Sequence, residues 1–226
     1  MKVFVVMPAY NERGRIGAVV RRLFPRVDRV IVVDDGSADS TADEARAAGA
    51  DVVSHVLNRG QGAALKTGTV LAVAEGADVV VHFDADGQHD PETIPTLTAP
   101  IVAGGADFVS GSRFLGVTSD GMPLSRKLLL AAARQFSSLV LGIPRTVTDP
   151  QSGLRAMTVE AACAIDFTQD RMAHCSEILR IVSRSELRSV EVPVRVLYTA
   201  ETLAKGQKAT DAFKIVWQLL LGAFQR

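Results

Sequence analysis

The densest group of chemically capable side chains follows an apolar run at residues 78–83. Asp84 and Asp86 are separated by one residue, and Gln88 comes two residues later. Two carboxylates at the end of a hydrophobic strand project into one polar cleft, where their paired charges are costly without a cation. Hard oxygen ligands suit Mg²⁺ or Mn²⁺, and either ion can bridge the two phosphates of a nucleotide. The spacing therefore predicts a metal site formed by Asp84, Asp86 and Gln88.

A helix-capping turn is the alternative interpretation of the same stretch. Asp90, Pro91 and Glu92 have the residue types that begin a helix, with proline in the first turn and an acidic side chain beside the helix N-terminus. This interpretation explains Asp90 to Glu92 well, but it explains Asp84 and Asp86 poorly. We therefore prefer the metal site for the first two carboxylates.

Two further polar clusters follow predicted strands. Residues 34–37 read Asp-Asp-Gly-Ser, which is also the composition of an ordinary turn. The glycine-rich residues 58–62 could bring backbone amides near a phosphate, but they lack the dinucleotide fingerprint and the P-loop lysine pattern. In open α/β sheets, ligands bind at the carboxyl ends of the strands, so the position of these clusters is informative even though each is weak alone.

The elements that must position these residues alternate between β-branched runs and Ala- and Arg-rich stretches. This alternation predicts parallel βαβ units, and hence an α/β fold with a mostly parallel, Rossmann-like nucleotide-binding sheet flanked by helices. The predicted strands are 3–7, 29–33, 51–55, 78–83, 108–110 and 188–196. The predicted helices are a segment ending near 24, then 40–48, 63–75, 91–102 and an amphipathic segment from about 211.

Length and composition limit the class of protein. The chain has 226 residues, 47% of them hydrophobic, which is enough for one substantial core and predicts one domain over 1–226. Basic and acidic residues number 25 each, so no bulk positive charge indicates a nucleic-acid partner. Cys163 and Cys175 form no short metal-binding pair, and a core of this size needs no disulfide, which favours a reducing cytoplasm.

Six motifs, in order and at consistent spacing, resemble those of glycosyltransferase family 2 enzymes with the GT-A fold. Within that family the chain is most similar to the dolichyl- or polyprenyl-phosphate sugar synthases. The motifs occupy residues 8–12, 34–37, 58–68, 84–88, 111–113 and 149–155. The resemblance implies a nucleotide-sugar-binding half over about 1–110 and an acceptor-binding half over about 111–226.

The resemblance also implies roles for individual residues. The nucleotide-sugar site would contain Pro8, Tyr10, Glu12, Asp35, Asp84, Ala85 and Asp86. Asp86 would be part of the catalytic set, while Arg113 and Arg126 would meet acceptor or donor phosphate. The implied enzyme is a hexosyltransferase that uses Mg²⁺ or Mn²⁺ and acts in cell envelope glycan biosynthesis.

The reaction expected from these roles is transfer from a UDP- or GDP-sugar with inversion at the anomeric carbon. The metal neutralises charge on the leaving nucleoside diphosphate while an acceptor oxygen attacks from the opposite face. A polyprenyl-phosphate acceptor is already an anion, whereas a sugar hydroxyl in a polysaccharide or glycolipid must lose a proton. Glu177 is the candidate base for the hydroxyl case, or a residue that orients the acceptor. Its alternative interpretation is an exposed carboxylate on a helix.

Three other classes of protein are alternatives to a glycosyltransferase. A sugar-phosphate nucleotidyltransferase requires a glycine-rich basic loop near the start, and a nicotinamide dehydrogenase requires a glycine fingerprint after the first strand; neither is present. A noncatalytic nucleotide-sugar-binding partner of a membrane complex remains an alternative. The intact acidic and arginine motifs argue against it, and only turnover decides the matter.

The carboxyl end departs from the polyprenyl-phosphate enzymes, many of which continue into transmembrane helices. The chain has no apolar stretch long enough to cross a bilayer, so we expect a cytoplasmic protein that touches the inner face of the cell membrane peripherally or reaches it through a partner. Residues 128–143 and 213–221 could lie at a bilayer surface. The alternative is that both segments pack on the core or in a homodimer contact.

Overall fold

The computed structural model describes residues 1–116 and 142–196, together with positions 130, 131, 134, 135, 138 and 139. Its seven strands are β1 Val3–Ala9, β2 Arg29–Asp34, β3 Asp51–Ser54, β4 Val79–His82, β5 Phe108–Ser112, β6 Arg155–Thr158 and β7 Ser189–Pro193. The principal α-helices are α1 Ile16–Leu23, α2 Thr41–Ala47, α3 Gln61–Ala74, α4 Ile94–Val102, α5 Val159–Ala164 and α6 His174–Arg184. Single 3₁₀ turns at Phe24–Arg26 and Pro91–Thr93 follow α1 and precede α4.

All seven strands form one mixed sheet in the order β3-β2-β1-β4-β6-β5-β7. The pairs β1 with β2, β1 with β4, β2 with β3 and β5 with β7 are parallel. Strand β6 is antiparallel to both of its neighbours, β4 and β5. The predicted mostly parallel α/β sheet is therefore confirmed, and the carboxyl ends of β1, β2 and β4 meet at one edge.

The core lies on both faces of this sheet because alternate residues of each strand point in opposite directions. On β1, Val5 and Met7 face one cluster, which also contains apolar residues of α1 and α4. Phe4 and Val6 face the other, which contains apolar residues of α3, α5 and α6. Burial on two faces explains why β1 and β4 have nearly unbroken apolar sequences.

Two carboxylates, one just before β4 and one just before β2, show how local chemistry fixes the strand positions. The carboxylate of Asp78 accepts from the backbone nitrogen of Lys2 at 2.6 Å, and Asp28 accepts from that of Val3 at 2.7 Å. These contacts set where β1 begins relative to its neighbours β4 and β2. The polar ends that follow these strands are thereby brought level with one another.

The strands β1 to β5 and the helices α1 to α4 match the predicted elements within a few residues. The last predicted strand is shorter than expected, ending at Pro193, although Val196 forms an isolated bridge with His89. Strand β6 and helices α5 and α6 were absent from the predicted elements, although Glu177 of α6 was considered as a helix carboxylate. The predicted helix from about 211 lies outside the described residues, and so does most of the stretch from 113 to 144. Among the residues that are described, no helix combines the length and apolarity needed to cross a membrane.

Candidate active site at the carboxyl ends of the strands

The paired carboxylates lie directly after β4, as predicted. Gln61, in the first turn of α3, donates from Nε2 to Asp84 Oδ1 at 2.7 Å, and His89 Nε2 lies 3.4 Å from Asp84 Oδ2. Asp86 Oδ1 accepts from the backbone nitrogen of Gln88 at 2.9 Å. The chain thus folds residues 84–89 into a tight turn that holds two half-buried carboxylates close together.

The two carboxylates differ in their electrostatic environment. Burial alone would raise the pKa of Asp84, but the hydrogen bond and charge of His89 outweigh it and hold that pKa below its ordinary value. The pKa of Asp86 is raised by burial and by the neighbouring charge of Asp84, with a further contribution from Glu12. The ionised form of Asp86 is therefore disfavoured, and a bound cation would stabilise it.

Asp84, Asp86 and Gln88 have the side-chain chemistry of a divalent-cation site, but they form only part of its ligand set. Within the described ranges, no group of three or more His, Cys, Asp and Glu side chains is arranged to hold a metal ion. Asp84 and Asp86 would supply two carboxylates and Gln88 an amide oxygen, a hard donor set suited to Mg²⁺ or Mn²⁺. The mutual repulsion that raises the pKa of Asp86 is what a cation relieves. The remaining ligands would have to come from a bound substrate.

The helix-capping interpretation is correct for the next residues along the chain. The Asp90 side chain accepts from the backbone nitrogen of Glu92 at 3.3 Å, and Pro91 opens the 3₁₀ turn before α4. Asp90 also binds Arg22 at 2.9 Å, and Glu92 binds Arg26. Asp90 and Glu92 are therefore structural. Asp84 and Asp86 remain as the candidate pair for metal binding.

The loops after β1 and β2 are tied to each other at the same edge of the sheet. The backbone nitrogen of Asn11 donates to Ser37 Oγ at 2.9 Å, and that of Glu12 donates to Thr41 Oγ1 at 2.8 Å. Residues 34–37 therefore form a turn that also fixes residues 8–12. Of the predicted nucleotide-binding residues here, Pro8 is buried within β1, Tyr10 is 49% exposed beyond it, and Ala85 is buried between the two carboxylates.

Asp35 organises the glycine-rich segment that follows β3. Its carboxylate accepts from His55 Nδ1 at 2.7 Å, from the backbone nitrogen of Arg59 at 3.0 Å and from that of Gly60 at 2.7 Å. The amide of Ala63 donates to the carbonyl of Asp170 at 3.1 Å. Within residues 58–62, the amides of Arg59 and Gly60 are thus engaged within the chain. The hypothesis that this segment presents backbone amides to a phosphate stays a prediction.

Arg113 follows β5 and is held by an acid that the sequence reasoning did not pair with it. Asp149 binds it in a bidentate ion pair, with Nε to Oδ2 and Nη2 to Oδ1 both 2.6 Å. Glu191 on β7 in turn accepts from the backbone nitrogens of Thr148 and Asp149 at 2.8 and 3.1 Å. A planar guanidinium fixed in this way is preorganised for phosphate oxygens.

The loop that contains Asp149 also reaches the acidic pair. A Cβ on Gly153 would lie 2.6 Å from Asp84 Oδ2, so only glycine allows this approach. The fully buried Arg155 donates from Nη2 to the carbonyl of Ser152 at 2.8 Å and holds the loop in place. Residues 148–153 therefore contact Arg113 at one end and Asp84 at the other.

Two of the predicted catalytic residues have different outcomes. Arg126 lies outside the described residues. Glu177, in the first turn of α6, is only 6% exposed, so its interpretation as an exposed helix carboxylate was wrong. Both of its oxygens accept hydrogen bonds from residues 168–169.

A second group of ionisable side chains is buried behind β4. Burial and the charge of Arg155 lower the pKa of His82 to about 3, so its ring is neutral at physiological pH. Burial opposes ionisation of Cys175, but His174 and Arg155 overcome it and lower the pKa of this thiol to about 6. Within the described residues, Arg155 Nε and Nη1 have no hydrogen-bond partner. Sequence motifs indicated Arg155, but its burial followed only from its place on β6.

Comparison with known proteins agrees with this geometry. The sequence profile described as "Glycosyl transferase family 2" matches residues 4–157. UDP-N-acetylglucosamine–dolichyl-phosphate N-acetylglucosaminyltransferase of Methanococcus voltae is 34% identical over 240 residues, covering 97% of this chain and 95% of that protein. Polyprenol monophosphomannose synthase of Mycolicibacterium smegmatis is 36% identical over 189 residues, covering 78% and 69%.

Among solved structures, glucosyl-3-phosphoglycerate synthase from Mycobacterium tuberculosis has a similar fold. The TM-score is 0.74 at 24% identity, with 97% of this chain and 77% of that chain covered. The similarity includes the mixed seven-stranded sheet and its flanking helices. The predicted GT-A architecture is therefore confirmed.

Proposed function

The chain belongs to glycosyl transferase family 2, and we propose that it transfers a sugar, with inversion, from a nucleoside-diphosphate sugar to a polyprenyl phosphate. The observation that carries this proposal is the loop at residues 148–153. It contacts Asp84, beside a candidate cation site, and it holds Arg113, a candidate phosphate ligand. One relative is named for transfer to dolichyl phosphate and another for synthesis of polyprenol monophosphomannose, and both names support the same acceptor class.

The donor is proposed to bind across the ends of β1, β2 and β4. Asp84, Asp86 and Gln88 would hold Mg²⁺ or Mn²⁺, and the bound cation would supply positive charge against the diphosphate that leaves. Tyr10 and Glu12 lie on the adjoining loop, which Ser37 and Thr41 fix. The resulting site is proposed to fix the anomeric carbon with one face open to the acceptor.

Arg113 is proposed to hold the acceptor phosphate. Its bidentate pair with Asp149 fixes the plane of the guanidinium before any substrate arrives, which lowers the cost of ordering it on binding. A phosphate acceptor is already ionised, so its oxygen can attack without a general base. The sugar leaves the diphosphate as the new bond forms on the opposite face, which inverts the anomeric configuration.

A sugar-hydroxyl acceptor is the less favoured alternative. It needs a base, and the candidate Glu177 is buried and accepts three hydrogen bonds from the backbone and hydroxyl of neighbouring residues. A noncatalytic binding partner would retain the donor site without turnover. The described residues offer no specific observation that favours this second alternative.

Thermal unfolding with a panel of UDP- and GDP-sugars tests the donor assignment. A ligand that binds only the folded state raises the melting temperature. We expect one nucleotide class to stabilise the protein in the presence of Mn²⁺ and much less in the presence of EDTA. Absence of stabilisation by every donor, with or without the metal, would contradict the proposal.

A further inference from the structure

Residues 166–171, here called the strap, run between α5 and α6 and lie against the first turns of α3. Lys66 Nζ binds Asp166 Oδ1 at 2.6 Å, and the amide of Ala63 donates to the carbonyl of Asp170 at 3.1 Å. Arg59 Nη2 lies 3.3 Å from Asp170 Oδ2. The strap is thus fastened to α3 through contacts with both side chains and backbone.

Two glycines make this contact close. A Cβ on Gly60 would lie 2.5 Å from the carbonyl oxygen of Asp170, and a Cβ on Gly62 would overlap the carbonyl oxygen of Gln169. Gly60 also has φ of +117°, a conformation that favours glycine. The backbone of the strap therefore packs directly on the backbone at the start of α3.

Glu177 holds the strap from the other side. One carboxylate oxygen accepts from the backbone nitrogens of Thr168 and Gln169 at 2.9 and 2.8 Å, and the other accepts from Thr168 Oγ1 at 3.0 Å. A buried carboxylate with this many donors fixes the conformation of the loop it binds. Glu177 thus ties the strap to α6.

The turn beneath the strap contacts both acidic parts of the proposed donor site. Gln61 donates to Asp84 at 2.7 Å, and the amide of Gly60 donates to Asp35 at 2.7 Å. We expect a shift of the strap toward α3 to displace this turn, because the strap backbone leaves no room for a Cβ at Gly60 or Gly62. A continuous chain of packed groups therefore runs from Glu177 through the strap to Asp84 and Asp35.

We propose that Glu177 is a positioning residue for the donor site, acting through the strap, and is not the general base of the reaction. This inference rests on the proposed function and adds to it the residue that sets the geometry of the donor site from α6. Glutamine can replace the carboxylate here. Its amide oxygen can accept from both backbone nitrogens, while its NH₂ group donates to Thr168 Oγ1.

The experiment compares Glu177→Gln, Glu177→Ala and Gly62→Ala, with Glu186→Gln and Glu186→Ala as controls on an exposed glutamate of the same region. Binding of UDP and of GDP, each with Mn²⁺, is measured by isothermal titration calorimetry. Turnover is measured with polyprenyl phosphate, separating kcat from KM. Thermal unfolding establishes that each variant is folded.

We expect Glu177→Gln to retain donor affinity and kcat within about threefold of wild type. Glu177→Ala and Gly62→Ala should both weaken nucleotide binding by roughly 10- to 100-fold, the usual effect of losing a residue that supports a metal or ligand site. The two Glu186 variants should resemble wild type. Glu177 and Gly62 contact opposite sides of the strap. A similar loss of nucleotide affinity in both alanine variants would indicate that the strap positions the donor site.

A kcat loss of about 10²-fold or more in Glu177→Gln, with unchanged nucleotide affinity, would identify a base and overturn the inference. Unchanged affinity in folded Glu177→Ala or Gly62→Ala would also overturn it. If an alanine variant does not fold, the Glu177→Gln result alone decides between the two roles. Failure of the proposed function is distinct, since wild type would then bind neither nucleotide or would bind one without transferring sugar to polyprenyl phosphate.

Discussion

At the scale of single residues, the proposed metal ligand Asp86 carries a cost in stability. Its pKa is raised by burial and by the charge of Asp84, so the folded state disfavours its ionised form at neutral pH. This destabilisation is present above the raised pKa and is relieved as the pH falls through it. Such a conflict is expected where a carboxylate is kept for binding rather than for folding.

Asp86→Asn is therefore expected to preserve the fold and raise the melting temperature of the metal-free protein by roughly 2–4 °C, the shift that about 1 kcal/mol gives in a domain of this size. Turnover and Mn²⁺-dependent donor binding should nearly disappear. Calorimetry with donor and Mn²⁺ measures the binding, and Asp43→Asn on the exposed face of α2 is the matched control. Unchanged donor affinity in Asp86→Asn would remove this residue from the metal site.

The chemically important residues were only partly predictable. Asp84 and Asp86 are evident from sequence because two acids end an apolar strand. The pairing of Arg113 with Asp149 spans 36 positions and depends on how β5 and residues 148–153 are brought together. Gln61 was likewise missed, since its contact with Asp84 depends on where α3 begins.

At the scale of elements, residues 148–153 determine where the proposed acceptor and donor sites meet. Removing the charge of the almost fully buried Asp149 leaves Arg113 without its bidentate partner. We expect Asp149→Asn to raise the KM for polyprenyl phosphate by about tenfold or more while donor affinity stays near that of wild type. The magnitude is that of a disrupted supporting interaction.

Arg113→Lys provides the companion measurement, because lysine keeps the charge but cannot form the paired hydrogen bonds. The double variant should be little worse than either single variant, since both changes disrupt one unit. Additive defects, or a change confined to donor affinity, would separate Arg113 from the acceptor.

The ion pair of Asp107 and Arg188, which directly precede β5 and β7, predicts a specific pH dependence of stability. Side-chain and backbone hydrogen bonds from Arg188 lower the pKa of Asp107 from its ordinary range to about 2. A lowered carboxyl pKa contributes stability that is full above about pH 4 and is lost as the pH falls toward 2. Asp107→Asn should melt below wild type at pH 7, and the two should converge near pH 2. Coincident curves at every pH would show that the pair contributes nothing, and a constant offset down to pH 2 would show that the contribution does not depend on ionisation of Asp107.

Most elements followed from sequence pattern, and the exceptions have physical causes. Strands β1 and β4 are apolar because both faces are buried. Strand β6 is four residues long, begins with a buried arginine and contains alanine and methionine, which have little preference for strands. It becomes a strand because it lies between β4 and β5 and pairs with both. Only tertiary contacts contain that information.

At the scale of the whole molecule, one sheet edge gathers the loops of the amino-terminal strands, while the strap and residues 148–153 approach it from the later part of the chain. The division into a donor half and an acceptor half is a prediction that fits this arrangement, although Gly153 and the strap reach the donor side. Peripheral membrane contact, a homodimer and the segment 213–221 likewise stay predictions.

The most direct test of the central claim is sugar transfer by the purified full chain, using a labelled nucleotide sugar and either polyprenyl phosphate or the matching polyprenol. The account predicts a labelled lipid with the phosphate acceptor, no product with the alcohol, loss of product in EDTA and recovery with Mn²⁺. The anomeric configuration of the product should be opposite to that of the donor. Equal transfer to the alcohol, or transfer that persists without any divalent metal, would contradict the account.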